Sequence, residues 1–303
     1  MALFTNSEEL KLANSAFTAS FELKNIQSFL SEAEAKHIIP AIGSDCLNAL
    51  ISGKSADKTT KGELIQLLQK ACLSFAMANY SAFGAVQIQD SGITVAYQDH
   101  ARPASEAKIA QLRKQSLTDG FSFLELAIDF LEAHLADFKE YAQSRARINN
   151  RALFINSSKE FTAACLPINA QLFNAMRSEI LSVERDSILP ILGKELANTL
   201  HEKIQLNQLK NSDLSLVTSI QRALAPLALA GLIPYQMVKV DSIGGFQINN
   251  DEDSGASSEQ VLQTAMMRLT MRGESELVNL KNRLQQPKKA SSVGHSKSSV
   301  VLL

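Results

Sequence analysis

Ala2-Leu3-Phe4-Thr5-Asn6-Ser7 is written a second time, as Ala152-Leu153-Phe154-Ile155-Asn156-Ser157, 150 positions further on. Ile38-Ile39-Pro40-Ala41-Ile42-Gly43 is answered at the same spacing by Ile188-Leu189-Pro190-Ile191-Leu192-Gly193. A constant offset across two stretches indicates internal duplication, which sets the domain plan before any finer reading. Further along the offset drifts: Gln69-Lys70-Ala71 matches Gln221-Arg222-Ala223 at 152, and Ser105-Glu106 matches Ser258-Glu259 at 153. Whole units were copied and then drifted by small insertions. The expected domains are residues 1–149 and 150–286, followed by a flexible tail over 287–303 rich in serine and lysine.

Composition agrees with this plan. The 303 residues suffice for two domains of ordinary size, and 45% hydrophobic against 20% charged residues can fill real cores. A formal net charge of −1 argues against binding nucleic acid through bulk charge. Cys46, Cys72 and Cys165 lack metal spacing and read as small core residues of a reducing compartment. No charged segment followed by an apolar run opens the sequence, so a secreted location is not expected. The most apolar run, Ala223 to Ile233, contains Pro226 and Gly231 and is short for a membrane span.

Each unit reads as mainly helical. Ser31-Glu32-Ala33-Glu34 fits a capping box, and the helix it opens meets Pro40, whose missing N–H kinks or ends it. Gly43 supplies the stop, and Pro190 with Gly193 repeats kink and stop. Thr60-Lys61-Gly62-Glu63 opens a longer helix with Leu64, Leu68, Ala71, Cys72 and Phe75 on one face. Its second copy carries an extra kink at Pro226. Next, Val86 and Ile88, then Ile93 and Val95, alternate around Asp90-Ser91-Gly92, the pattern of a hairpin. Val238 and Val240, then Phe246 and Ile248, repeat it around a looser turn from Asp241 to Gly245.

The last long helix of each unit carries a glycine, Gly120 or Gly273. Such a residue costs about 1 kcal/mol relative to alanine, so it marks a close helix contact, a bend or a break between two helices. The expected fold class is mainly α: two tandem duplicated helical units, each with a short β-hairpin inserted between long helices.

Catalytic, cofactor and metal signatures are searched for in turn, and no such residue is assigned. Gly53-Lys54-Ser55 lacks the upstream glycine of a phosphate loop. Asn249 to Gly255 puts Ser254 and Gln260 where a calcium loop needs glycine and a bidentate glutamate. The five histidines, His37, His100, His134, His201 and His295, have no ligand spacing. Asp90 and Asp241 read as turn residues; an enzyme with an unrecognised site would draw on them. Arg145, Arg147 and Arg151 form one basic cluster, either a solvated linker or a contact for an acidic partner or DNA.

The series Ile39-Pro40-Ala41-Ile42-Gly43, Ile88-Gln89-Asp90-Ser91-Gly92-Ile93 and Pro103-Ala104-Ser105 recurs over Pro190 to Gly193 and Val240 to Phe246. In this it resembles a family of proteins from Bacteroidetes phages and prophages, itself similar to the helical head–tail connector, or head-completion, proteins of tailed phages. The resemblance runs from Ala2 to about Leu284. It departs from the usual connector in being doubled. The resemblance implies a non-enzymatic virion protein of the neck, assembled in the host bacterial cytoplasm as a homo-oligomeric ring. Portal and tail or neck proteins would be its partners, with DNA nearby in a non-specific way, and neither membrane, cofactor nor small-molecule substrate is implied. The hairpins would offer strand edges to neighbours. The alternative is a helical scaffold or adaptor unrelated to virions.

Overall fold

The computed structural model describes residues 2–52, 60–83, 86–89, 92–95, 104–235, 238–240, 246–248 and 259–285. The first unit contains α1 (Ser7–Ala13), α2 (Gln27–Ala33), α3 (Ile39–Ile42), α4 (Ser44–Ser52), α5 (Thr60–Phe83) and α6 (Glu106–Ala133). Two short helices, α7 (Lys139–Ala142) and α8 (Arg145–Asn150), lead onward. The second unit contains α9 (Ser158–Ala164), α10 (Ala170–Val183), α11 (Leu189–Leu192), α12 (Lys194–Gln205), α13 (Asn211–Leu232) and α14 (Glu259–Gln285). Buried apolar side chains fall into two clusters, one from residues 3–141 and one from 153–280.

The fold is helical, and this corrects the expectation of a β-hairpin as a constituent of each unit. No β-layer exists among the described residues. Val86–Gln89 with Gly92–Val95, and Val238–Val240 with Phe246–Ile248, are extended pairs of three or four residues each, and neither has a third strand. Alternating Val and Ile favour extended backbone, but an isolated two-stranded ribbon is marginal in water and organises no core. Among the described residues both cores are built from helices and the short segments that lead into them.

The repeated hexapeptide is used out of step with its own spelling. In the first unit Asn6 caps α1, its Oδ1 accepting the Glu9 N–H at 2.9 Å. In the second, Ser157 caps α9 and accepts the Glu160 N–H at 3.1 Å, a step of 151 rather than 150. Thr5 N–H donates to Glu9, and Asn156 N–H to Glu160, again at 151. The counterpart of buried Leu3-Phe4 is therefore Phe154-Ile155, not Leu153-Phe154. The step is back at 150 by the Glu34–Glu184 pair, so the second copy is one residue shorter between Glu160 and Glu184 than the first is between Glu9 and Glu34. Ahead of the cap, Leu153 N–H donates to Asn156 Oδ1 at 3.1 Å.

A buried glutamate holds each leading segment. Glu34 accepts the Leu3 N–H at 2.7 Å, and Glu184 accepts the Phe154 N–H at 3.1 Å. Gln69 donates to the Leu3 carbonyl at 2.9 Å, and Gln221 to that of Phe154 at 2.8 Å. Both polar groups of one buried residue are thus satisfied by side chains, as a backbone outside any helix requires. The capping box expected at Ser31 is not formed: Ser31 lies inside α2, and Glu34 is spent on Leu3.

Pro40 and Pro190 do not break their helices. A π-turn, Glu34–Ile38 or Glu184–Ile188, widens the helix just ahead of each proline, with Ile39 N–H bonding Glu34 O and Leu189 N–H bonding Glu184 O. The wider turn accommodates a ring that lacks a donor and would crowd the preceding carbonyl. The helices end at Gly43 (φ +86°) and Gly193 (φ +74°), a backbone conformation that other residues avoid.

Two antiparallel helix pairs, α5 with α6 and α13 with α14, make the most extensive contacts among the described elements. Gly120 lies inside continuous α6, where a Cβ would come within 2.8 Å of the Phe75 ring. Gly273 lies inside continuous α14, where a Cβ would strike Leu227. Of the three meanings open to these glycines, close helix contact is the one realised. Pro226 likewise sits within α13 without ending it. Asn211–Tyr235 is long and apolar enough to cross a membrane by length and composition, and 61% of its most apolar window is buried as the central helix of the second core.

Candidate functional site

The polar side chains that do most of the organising lie where the units meet. The outward face of α6 receives α9 and α10. Glu125 on α6 accepts both the N–H and the hydroxyl of Ser158, the first residue of α9, which places a carboxylate at a helix N-terminus. One turn on, Asp129 pairs with Lys159. Thr118 and Gln171 approach at 3.4 Å.

At the end of α6, Glu132 forms a two-pronged pair with Arg147 at 3.0 and 3.1 Å. The two side chains are only 14% and 11% exposed, so the pair is screened far less than a surface bridge. Arg147 also donates to the Gln205 carbonyl at 2.7 Å, and Asn207 donates to Glu132 at 3.3 Å. Arg151 donates to the Ile204 carbonyl and to Asn207 Oδ1. Asn150 donates to the Ala41 carbonyl at 2.7 Å, tying the joint to the helix after the first π-turn. Tyr141 reaches Glu132 with its hydroxyl, whose pKa burial pushes well above the usual range.

This settles the arginine cluster. Arg147 and Arg151 clamp one unit to the other and are not a solvated linker, while Arg145 is exposed. The two halves are held by charge-assisted hydrogen bonds with geometry that a flexible tether lacks.

A cleft of about 280 Å³ opens at this joint, lined by Lys36, His37, Glu125, Asn150, Asn174 and Arg177 among others. Its groups are largely engaged in holding the fold. Glu125 is bound by Ser158, and Arg177 donates to the Asn149 carbonyl at 2.6 Å. His37 lies flat on Phe75 with ring centroids 3.9 Å apart, and burial, then neighbouring Lys36, lowers its pKa. Among the described residues no group of three or more His, Cys, Asp or Glu is placed to hold a metal ion.

The interaction residues read from sequence fall in two sets. Val86 faces Val95 and Ile88 faces Ile93 in the first ribbon, with Gly92 opposite Gln89. Val238 faces Ile248 and Val240 faces Phe246 in the second. Asp90, Asp241 and Gly245 lie outside the described residues, as do Gly53-Lys54-Ser55, Asn249 to Gly255, His100, His295 and the tail. Pro40 lines the cleft, whereas Pro190 belongs to the equivalent turn of the other unit. The sequence reading gave Glu34 only a capping role and passed over Glu184, Glu125 and Glu132. The first two carried a signal: a glutamate six residues before the proline in both copies. The other two carried none, because their partners lie 15 to 75 positions away.

One protein-family model matches the chain, in two segments, residues 38–151 and 188–290, and its description is a family of unknown function, DUF6712. The segments begin at Ile38 and Ile188, the last residues of the two π-turns. No curated protein and no solved structure matches.

Proposed function

The chain belongs to the family of unknown function DUF6712, and from that premise we propose that it is a structural virion protein, a head–tail connector or neck component joining portal to tail. The observation that carries this reading is the clamp of Glu132, Arg147 and the Gln205 carbonyl, which makes one body of two helical units. A part that transmits load between two assemblies needs a fixed internal geometry, and here the joint between copies is hydrogen-bonded and half-buried. The resemblance of the repeated Pro-x-Ile/Leu-Gly series to connector proteins adds the virion context, with portal above and tail or neck proteins below. Duplication then lets one chain fill two adjacent places of a ring.

Co-expression with the portal protein of the same phage or prophage tests this. A complex that co-elutes and appears as a ring by negative-stain microscopy is the expected result. A chain that never binds portal sinks the proposal.

A further inference from the structure

The joint between the units is heterologous: the outward face of α6 meets α9 and α10, two different surfaces of one repeated design. Its duplicate on α14, 153 positions on, is exposed among the described residues. Thr118 and Glu125, half-buried in the joint, correspond to Met271 and Val278, which are 63% and 58% exposed. Met267, one turn before Met271, is 56% exposed and completes an apolar stripe.

The opposite surface is duplicated too, at the start of the chain. Ser158 and Lys159 correspond to Ser7 and Glu8 at the step of 151, and Gln171 corresponds to Phe21 at the step of 150. Lys11 bonds the Ala19 carbonyl and Ser7 accepts the Leu23 N–H, so α1 and the segment through Leu23 form one surface. Leu12 on that surface is 86% exposed.

Position by position, the two free faces have changed together. Thr118 of the polar Thr118–Gln171 contact becomes exposed Met271, while Phe21, at the place of Gln171, packs edge-on against Tyr80 at the margin of the first core. Asp129 facing Lys159 becomes Asn282 facing Glu8, which removes an acid where the opposing residue has turned acidic. Glu125, acceptor for Ser158, becomes Val278, so the free joint exchanges hydrogen bonds for apolar burial.

We infer that α14 of one chain docks on the α1–Leu23 surface of a second copy, continuing between chains the succession of units already built within one. Such contacts are head-to-tail, so they close into a ring or extend as a filament. The inference rests on the repeat geometry and deepens the assembly reading of the proposed function by naming the self-contact.

Sedimentation of the purified full-length chain alone, over a concentration series, tests it. The wild type should form species larger than a dimer, and Met271→Asp or Leu12→Asp should each abolish them with helical circular dichroism unchanged. A mixture of the two variants should stop at a dimer, because each retains one intact face. A wild type that stays monomeric overturns the inference, as do variants that assemble normally or a mixture that stays monomeric. Portal binding keeps the two ideas apart: a wild type that stays monomeric yet binds portal overturns the docking and leaves the connector.

Discussion

The two halves anchor the same segment in different surroundings. Both spend a buried glutamate on a backbone N–H and a glutamine on the neighbouring carbonyl. In the second half Glu184 also takes His201 Nε2 at 2.9 Å, and the imidazole stacks on Phe154 with centroids 4.2 Å apart. In the first half the place of His201 belongs to Ile51. Drift has replaced the packing around the anchor and kept the carboxylate. A buried amide outside any helix must have an acceptor, whereas the space beside that acceptor can be filled in several ways.

Removal of the anchors should show this difference most strongly. Glu184→Ala strands a buried N–H and deprives His201 of its partner, at a cost of about 3 kcal/mol; Glu34→Ala should cost about 2 kcal/mol. Urea unfolding measures both, and equal losses would mean that the imidazole contributes nothing.

The glycine stops offer a finer comparison. Both have positive φ, but a Cβ at Gly43 would lie 3.3 Å from Ser144 Cβ, while one at Gly193 meets nothing within 4 Å. Gly193→Ala should therefore cost backbone strain alone, ~1 kcal/mol, and Gly43→Ala about twice that. If Gly193→Ala proves the worse of the two, strain and crowding have been assigned wrongly.

The smallest effect is one of pH. His37 belongs to the first half, and Ser187 stands at its place in the second. Burial holds its folded pKa below the ordinary 6.5, so the unfolded chain takes up the proton first. Stability from this group is complete above 6.5 and is lost as pH falls toward the depressed folded value. A His37→Gln variant should lose less stability than the wild type between neutral and mildly acid pH. An unchanged pH slope would show that burial of His37 has no thermodynamic effect.

Much of the helical plan was legible. Gly43 and Gly193 marked the helix ends, whereas Pro40 and Pro190 marked the π-turns that precede them, because proline and glycine act through local backbone geometry. Gly120 and Gly273 marked a special packing position, but three meanings stayed open until Phe75 and Leu227 were seen against them. The hairpin pattern misled at the level of fold class, since alternation reports a preference for extended backbone and says nothing of a third strand. At the candidate site, Arg147 and Arg151 were noticed as a cluster without a role. Their acceptors, Glu132, Gln205 and Ile204, belong to other elements, and sequence spacing does not encode such meetings.

By itself the sequence determined that the chain is two copies of a helical unit, because periodicity and punctuation are local properties that survive drift. Only the tertiary structure decided the register of the copies. Spelling aligns Leu3-Phe4 with Leu153-Phe154, yet burial pairs Leu3-Phe4 with Phe154-Ile155. The reason is physical: the glutamate, the glutamine and the helix cap each bind one backbone position. The one-residue difference in length falls in the segment between Glu160 and Glu184, where it costs less than losing the hydrogen bonds of glutamate, glutamine and cap.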